Sequence, residues 1–464
     1  MQHFNFMSAL MAFMAATPLA AQNRIDGQSA NAPELAAYGP LAVGVRQIDL
    51  VNPDQVDILA IDRALPRPPI LPTYDRPLTV ELWYPAAAGS IGETTLSTIL
   101  RDGTTPIELE GRGIRDAAPA ASTSPAPLVL LSHGYPGNRF LMSHLAENLA
   151  SKGYVVASID HTESTYSDQA AFGSTLVNRT LDQLFVLNEM ARISNDITSP
   201  FAGLIDTDNT AVVGYSMGGY GAVITAGGGV SPFLVDAGLT PFDTLAIHQQ
   251  GTAAHEALFD PRIKTAVAIG PFGEQFGFWG EAGLAEIQIP MMIIGGSNDE
   301  TSIYETGIRA IWEGAKNVDR ALLTFDGGSH NVVAPIPAPA ESFYFNDDLG
   351  FNVSEHYTDP VWDTVFSNNV GQHFVTAWLD QYLKGNLDSA TYLDLIAKGS
   401  DGVFAQNPDG TFAADHTYWK GFKDGTADGL RFEVLAAIPL PASVWLMGMA
   451  LGGLAVMGRR RRTV

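Results

Sequence analysis

The stretch Val212-Val213-Gly214-Tyr215-Ser216-Met217-Gly218-Gly219-Tyr220 constrains this chain more than any other. Thr210 to Val213 are β-branched or apolar, as a buried strand requires, and the small residues of 217–226 suit a packed helix. Between them stands the pattern G-x-S-x-G, with Ser216 at its centre. A strand that turns sharply into a helix pushes the serine hydroxyl out at the end of a sheet. Gly214 and Gly218 leave room where a side chain would strike neighbouring backbone. Glycine is common here, 46 of 464 residues, so the five residues alone say little. Their setting between a strand and a helix gives them weight.

The length allows one large domain or two ordinary ones. Apolar residues make up 46% and charged residues 16%, which suits a globular chain with a sizeable core. A formal charge of −24 repels phosphate backbones and argues against nucleic acid as a partner. The chain has no cysteine, so thiol nucleophiles, zinc–thiolate sites and disulfides are excluded.

The two ends read as addresses. Residues 1–21 resemble a secretory signal peptide: 6–16 are apolar and Leu19-Ala20-Ala21 offers small residues for cleavage. The start carries little positive charge, and a buried first helix is the alternative. At the other end, 443–457 are free of charge and are followed by Arg459, Arg460, Arg461 and Arg462. Pro439 and Pro441 keep a helix from starting earlier. A helix of about 16 residues is short for a membrane span, and arginine snorkelling extends it. The order Ile438-Pro439-Leu440-Pro441-Ala442, helix, arginines resembles the VPLPA-type sorting signals of Gram-negative bacteria, relatives of the PEP-CTERM signals, with Ile for the usual Val. That resemblance implies an exosortase-type processing protease, membrane attachment through the C-terminal helix before processing, and a destination in the periplasm, cell surface or extracellular matrix. A plain tail anchor is the alternative.

Between the ends, strands are expected at 41–50, 76–84, 128–131, 154–159, 263–269, 290–294 and 321–325. Helices are expected at 139–152, 176–193, 302–316 and 360–383. The Ala/Ser/Pro stretch 117–127 reads as a loop. Alternating strands and helices predict an α/β fold with a mostly parallel sheet covered on both faces. The expected organisation is a leader at 1–21, an N-terminal extension at 22–75, one α/β domain at 76–430 and a sorting segment at 431–464. Two insertions, 227–257 and 331–359, interrupt the rhythm and are expected to wall or cover a pocket.

A serine on such a turn becomes a nucleophile only with a base to take its proton and a carboxylate to orient that base. In folds built on this turn the order is serine, acid, histidine. Asp299 follows the apolar run 291–294, and His330 follows the run 321–325. Glu300, Asp326 and Glu274 are rivals for the acid. An oxyanion needs two backbone N–H donors. Met217, next to the serine, supplies one, and Tyr135 in the loop 132–137 is expected to supply the other, since Pro136 has no N–H. His133 reads as a prop for that loop. His161 either lines the pocket or braces a loop, and Asp160, His161 and Glu163 make only a weak metal candidate. Phe272, Phe276, Phe278 and Trp279 read as an apolar acyl wall or as packing. His248, His255, His356, His373 and His416 take the default structural role.

Together these residues resemble the α/β-hydrolase superfamily. The nearer likeness is to the dienelactone-hydrolase-like and platelet-activating-factor-acetylhydrolase-like branch, beside cutinase-type polyester hydrolases. It is carried by 131–139, 149–160, 214–219, 260–271 and 295–299 with His330, within about 78–384. The resemblance implies an α/β-hydrolase fold and hydrolysis of carboxylic esters, small or polymeric, by Ser216, His330 and Asp299 through an acyl-enzyme. It implies no cofactor and no metal. True dienelactone hydrolases use a cysteine, which this chain lacks. Two other readings stand beside the ester hydrolase: a non-catalytic surface or matrix binding protein on the same scaffold, and a peptidase or amidase.

Overall fold

The computed structural model describes residues 23–121 and 124–438. The leader expected at 1–21 lies outside them, as do the charge-free run and arginines of the C-terminal segment. Among the described residues, no helix is long and apolar enough to cross a membrane.

A ten-stranded sheet forms the frame. In chain order its strands are β1 (Val43–Val56), β2 (Thr73–Pro85), β3 (Ile114–Arg115), β4 (Ala126–Ser132), β5 (Val155–Asp160), β6 (Ile205–Tyr215), β7 (Ile263–Ile269), β8 (Met291–Gly296), β9 (Arg320–Phe325) and β10 (Leu430–Leu435). Their order across the sheet is β10-β9-β8-β7-β6-β4-β5-β2-β1-β3. The six strands from β9 to β5 run parallel. β2 and β1 add antiparallel on one side, and β10 adds antiparallel on the other. The α/β class and the mostly parallel sheet are as expected. The sheet runs past both expected domain limits, because β1 pairs along β2 and β10 closes the edge of β9.

Period-two alternation divides the core. On β4, Val129 and Leu131 face one layer while Leu128 and Leu130 face the other; on β6, Val213 and Val212 divide in the same way. One layer is covered by α1 (Ser143–Ser151) and α5 (Thr364–Lys384), the other by α2 (Phe172–Asn195) and α3 (Met217–Thr225). Parallel strands buried on both faces require this cover.

Three helices start later than expected, each because its leading residues are engaged elsewhere. The segment from Arg139 is held as a turn: the Arg139 N–H donates to Asp160 at 2.6 Å, and its guanidinium pairs with Asp160 and Glu81. At 302–316 the N–H groups of Thr301 and Ser302 donate to Asp299, so only a π-turn (Tyr304–Arg309) and the short α4 (Ala310–Gly314) follow. α5 begins at Thr364 because Asp363 accepts from the Phe366 N–H at 2.8 Å and caps it, and Gly385 ends it at φ 64°. A hairpin not expected from the sequence, Thr95–Ile99 with Pro106–Glu110, stands beside the sheet.

Candidate active site

Ser216 sits between β6 and α3 with φ 53° and ψ −113°, a conformation that non-glycine residues rarely adopt. Hydrogen bonds fix the turn: the Ser216 N–H donates to Ile269 O at 2.9 Å, and its carbonyl accepts from the N–H of Tyr220 and of Phe272. A Cβ at Gly214 would lie 2.1 Å from Gly218 O, and one at Gly218 would lie 1.9 Å from Ser132 O. The spacing of the motif is therefore forced by backbone crowding. Only 8% of Ser216 is exposed, and it opens into a cavity of about 590 Å³.

Asp299 follows β8 and His330 follows β9, at the same end of the sheet. His330 Nδ1 lies 2.7 Å from Asp299 Oδ2. The other carboxylate oxygen accepts from the N–H groups of Thr301 at 2.8 Å and Ser302 at 2.7 Å. Ser302 Oγ donates to Gly270 O, and Gly270 (φ 49°) packs where a Cβ would lie 3.2 Å from the imidazole. The carboxylate is thus fully engaged and buried, and its free direction points at the ring. The ring lies 5.1 Å from that of Tyr215 and lines the cavity with Ser216. No hydrogen bond joins the Ser216 hydroxyl to the imidazole among the described residues. Such bonds are often long before substrate arrives.

Tyr135 lines the same cavity, and Met217 is buried beneath the serine. Neither backbone N–H has a hydrogen-bond acceptor among the described residues. The rivals for the acid are engaged elsewhere: Asp326 pairs with Arg431, Glu274 accepts from the N–H groups of Trp279 and Gly280, and Glu300 is exposed on the rim.

His161 does not line the cavity. It belongs to a second Ser–His–Asp chain, in which Ser132 Oγ is 2.8 Å from His161 Nε2 and His161 Nδ1 is 2.9 Å from Asp182 Oδ2. All three are at most 1% exposed, and Arg76 pairs with Asp182 at 2.8 Å. Burial, reinforced by the nearby Arg179 charge, pulls the His161 pKa down to about 3. Sealed from solvent, this chain braces the Tyr135 loop. His133 Nε2 accepts from the His161 N–H, His133 Nδ1 therefore donates to Gly134 O, and Arg179 donates to His133 O. His133 is the prop expected. No group of acidic and histidine side chains suited to a metal is present among the described residues.

Phe278 and Trp279 are buried in the core beside Tyr220, and Phe272 packs edge-on against Phe172 and at a tilt against Phe276; none of these lines the cavity. The insertion at 331–359 does wall it, through Phe351, Glu355 and His356. The insertion at 227–257 packs instead against α2 and Phe278, where His248 Nε2 meets Val177 O and the Ser231 N–H donates to Phe278 O. Arg101 and His356 in the wall had no motif to announce them.

Residues 115–250 match a family model described as PET hydrolase-like. Cutinase 2 of Thermobifida cellulosilytica is 26% identical over 203 residues, 44% of this chain and 59% of that one. A cutinase of Thermobifida fusca is 26% identical over 203 residues, covering 44% of this chain and 49% of its own length. The match thus spans about half to three-fifths of the length of these relatives. The solved structure of a ferulic acid esterase from Streptomyces cinnamoneus superimposes with a TM-score of 0.50 at 20% identity, over 79% of this chain and 94% of that one. With its parallel sheet, its serine turn and these likenesses, the chain has the α/β-hydrolase fold and is similar in sequence to the polyester-hydrolase branch of that superfamily.

Proposed function

We propose that the protein hydrolyses carboxylic esters through Ser216, His330 and Asp299. The observation that carries this reading is the 2.7 Å Asp299–His330 hydrogen bond at the rim of the cavity into which Ser216 opens. An ionised Asp299 accepts the Nδ1 proton and leaves Nε2 free as a base. His330 takes the Ser216 proton as Oγ attacks the ester carbonyl. The N–H groups of Met217 and Tyr135 face the charge that develops on oxygen. The imidazolium then protonates the departing alkoxide, and water, deprotonated by the same ring, releases the acyl group. The unpaired N–H groups at 135 and 217 favour acyl transfer over simple binding, since they are donors without acceptors.

A fluorophosphonate probe should label Ser216, and Ser216→Ala should lose both labelling and ester turnover across a chain-length panel. Absence of labelling and turnover in the folded wild-type protein would favour the binding-protein reading. Turnover of p-nitroanilides at rates comparable to p-nitrophenyl esters would favour the amidase.

We further infer that the protein is exported. The leader-like residues 1–21 and the tail with Arg459 to Arg462 support this. Fractionation with mass measurement of the mature chain tests it; a full-length product in the cytoplasm would refute it.

A further inference from the structure

The wall of the cavity holds an arginine whose guanidinium pairs with no acid among the described residues. Arg101 sits in the turn of the Thr95–Ile99 hairpin, and this turn is firmly seated. Its own N–H donates to Tyr357 Oη at 3.0 Å, Asp102 accepts from the N–H groups of Thr104 and Thr105, and Tyr344 Oη donates to Asp102 at 2.6 Å. A Cβ at Gly103 would lie 2.4 Å from Tyr166 O, so the turn lies flat on that loop.

The Arg101 guanidinium makes no ion pair and no hydrogen bond among the described residues. Every other arginine described makes at least one. This is not for want of acids, because the chain carries 50 acidic residues against 26 basic ones. Asp102 is turned toward Thr104, Thr105 and Tyr344, and the two acids on the rim, Glu300 and Glu355, are exposed and unpaired with it. Its neighbours are the Phe351 ring, 6.0 Å from the guanidinium carbon, and the half-buried His356, whose Nε2 meets Tyr166 Oη at 2.7 Å. Burial pulls the His356 pKa down to about 3, with the Arg101 charge contributing, so this histidine is neutral at neutral pH. Among the described residues, Arg101 is then the one fixed cation lining the cavity that Ser216 and His330 share. It lies outside residues 115–250, the stretch matched by the PET hydrolase-like family.

A half-buried guanidinium without a partner has an unmet demand for an anion, and its planar fork fits a carboxylate. We propose that Arg101 recognises a free carboxylate on the substrate, so that the preferred esters are half-esters of dicarboxylic acids. This rests on the ester-hydrolase reading and names the substrate class of the same site. The half-ester binds with its carboxylate on Arg101 and its ester carbonyl at Ser216. Hydrolysis adds one water, breaks the acyl–oxygen bond, and yields the dicarboxylate, a neutral alcohol and one proton released to solvent, which the pH-stat reads. A diester, with no anion to offer, enters without this contact.

The test compares monoethyl adipate with diethyl adipate, followed by pH-stat titration, for wild type, Arg101→Gln and Arg101→Lys. Arg101→Gln should lower kcat/KM for the monoester roughly 10- to 100-fold, chiefly through KM, and leave the diester within about twofold. Arg101→Lys should restore part of the monoester rate. An equal fall for both esters, or no fall for the monoester, would overturn the proposal. Calorimetry of monoethyl adipate binding to Ser216→Ala, with and without Arg101→Gln, separates the two readings. If wild type turns over neither ester yet binding depends on Arg101, the hydrolase reading fails and the carboxylate site stands. If binding does not depend on Arg101, the carboxylate site fails whatever the turnover.

Discussion

His330 Nδ1 and Asp299 Oδ2 lie 2.7 Å apart, and the second Asp299 oxygen is held by the N–H groups of Thr301 and Ser302. The acid is thus anchored by backbone, and among the described residues the one side chain hydrogen-bonded to it is the imidazole. Asp299→Asn preserves shape but offers an amide N–H or a weaker acceptor to Nδ1, which favours the wrong tautomer. Turnover of a p-nitrophenyl ester should fall by roughly 10³- to 10⁴-fold. The urea midpoint should move little by comparison. A loss of less than tenfold would assign the acid role elsewhere.

The two sets of Ser, His and Asp make opposite predictions. Ser216→Ala should abolish turnover with little effect on stability. Ser132→Ala should keep most of the turnover and cost about 1–3 kcal/mol, because His161 Nε2 is left without its buried donor. Asp182→Asn should cost about 3–5 kcal/mol, since Arg76 loses its buried counter-ion. Urea unfolding and initial rates on the same samples check all three.

Ser216, Asp299 and His330 were legible as a group because Ser216 directly follows a strand, the other two lie in the short loops just after apolar strand runs, and parallel strands bring such ends to one edge of the sheet. Gly214 and Gly218 were legible because only glycine escapes the close carbonyls there. The helix starts at 143, 304 and 364 were not legible. Each depends on where a distant or upstream side chain claims the N–H groups, as Asp160 claims Arg139 and Asp299 claims Ser302. Arg101 was hidden for a related reason. Its place in the wall comes from Tyr166 and Tyr357 receiving the hairpin, a tertiary contact with no periodicity to record it. The buried chain of Ser132, His161 and Asp182 shows the converse, that the right residue types can assemble where no substrate reaches.

Glu147 gives a pH signature. Burial pushes its carboxyl up to about 7, although Oε2 accepts from the N–H groups of Arg112 and Gly113. A raised pKa means that the folded state holds a proton the unfolded chain has already released. The resulting stabilisation is complete below about pH 4.5 and is lost as pH rises through 7. Glu147→Gln keeps an acceptor for both N–H groups and removes the titration. Relative to wild type, the variant should therefore gain about 2.5 kcal/mol between pH 5 and pH 8 in urea unfolding. The same difference at both pH values would show that Glu147 does not titrate in this range.

Asp359 ties the second insertion to the loop that carries His330. Its Oδ2 accepts from both the N–H and the hydroxyl of Ser329, at 2.6 and 2.7 Å, immediately before His330. Its Oδ1 accepts from the N–H groups of Val361 and Trp362. Asp359→Ala frees Ser329, and with it the position of the imidazole. Loss of such positioning should lower kcat roughly 10- to 100-fold. Asp359→Asn retains one acceptor oxygen and should recover part of that loss. Thermal unfolding run in parallel separates positioning from stability: a fall in melting temperature with kcat unchanged would leave Asp359 a purely structural tie.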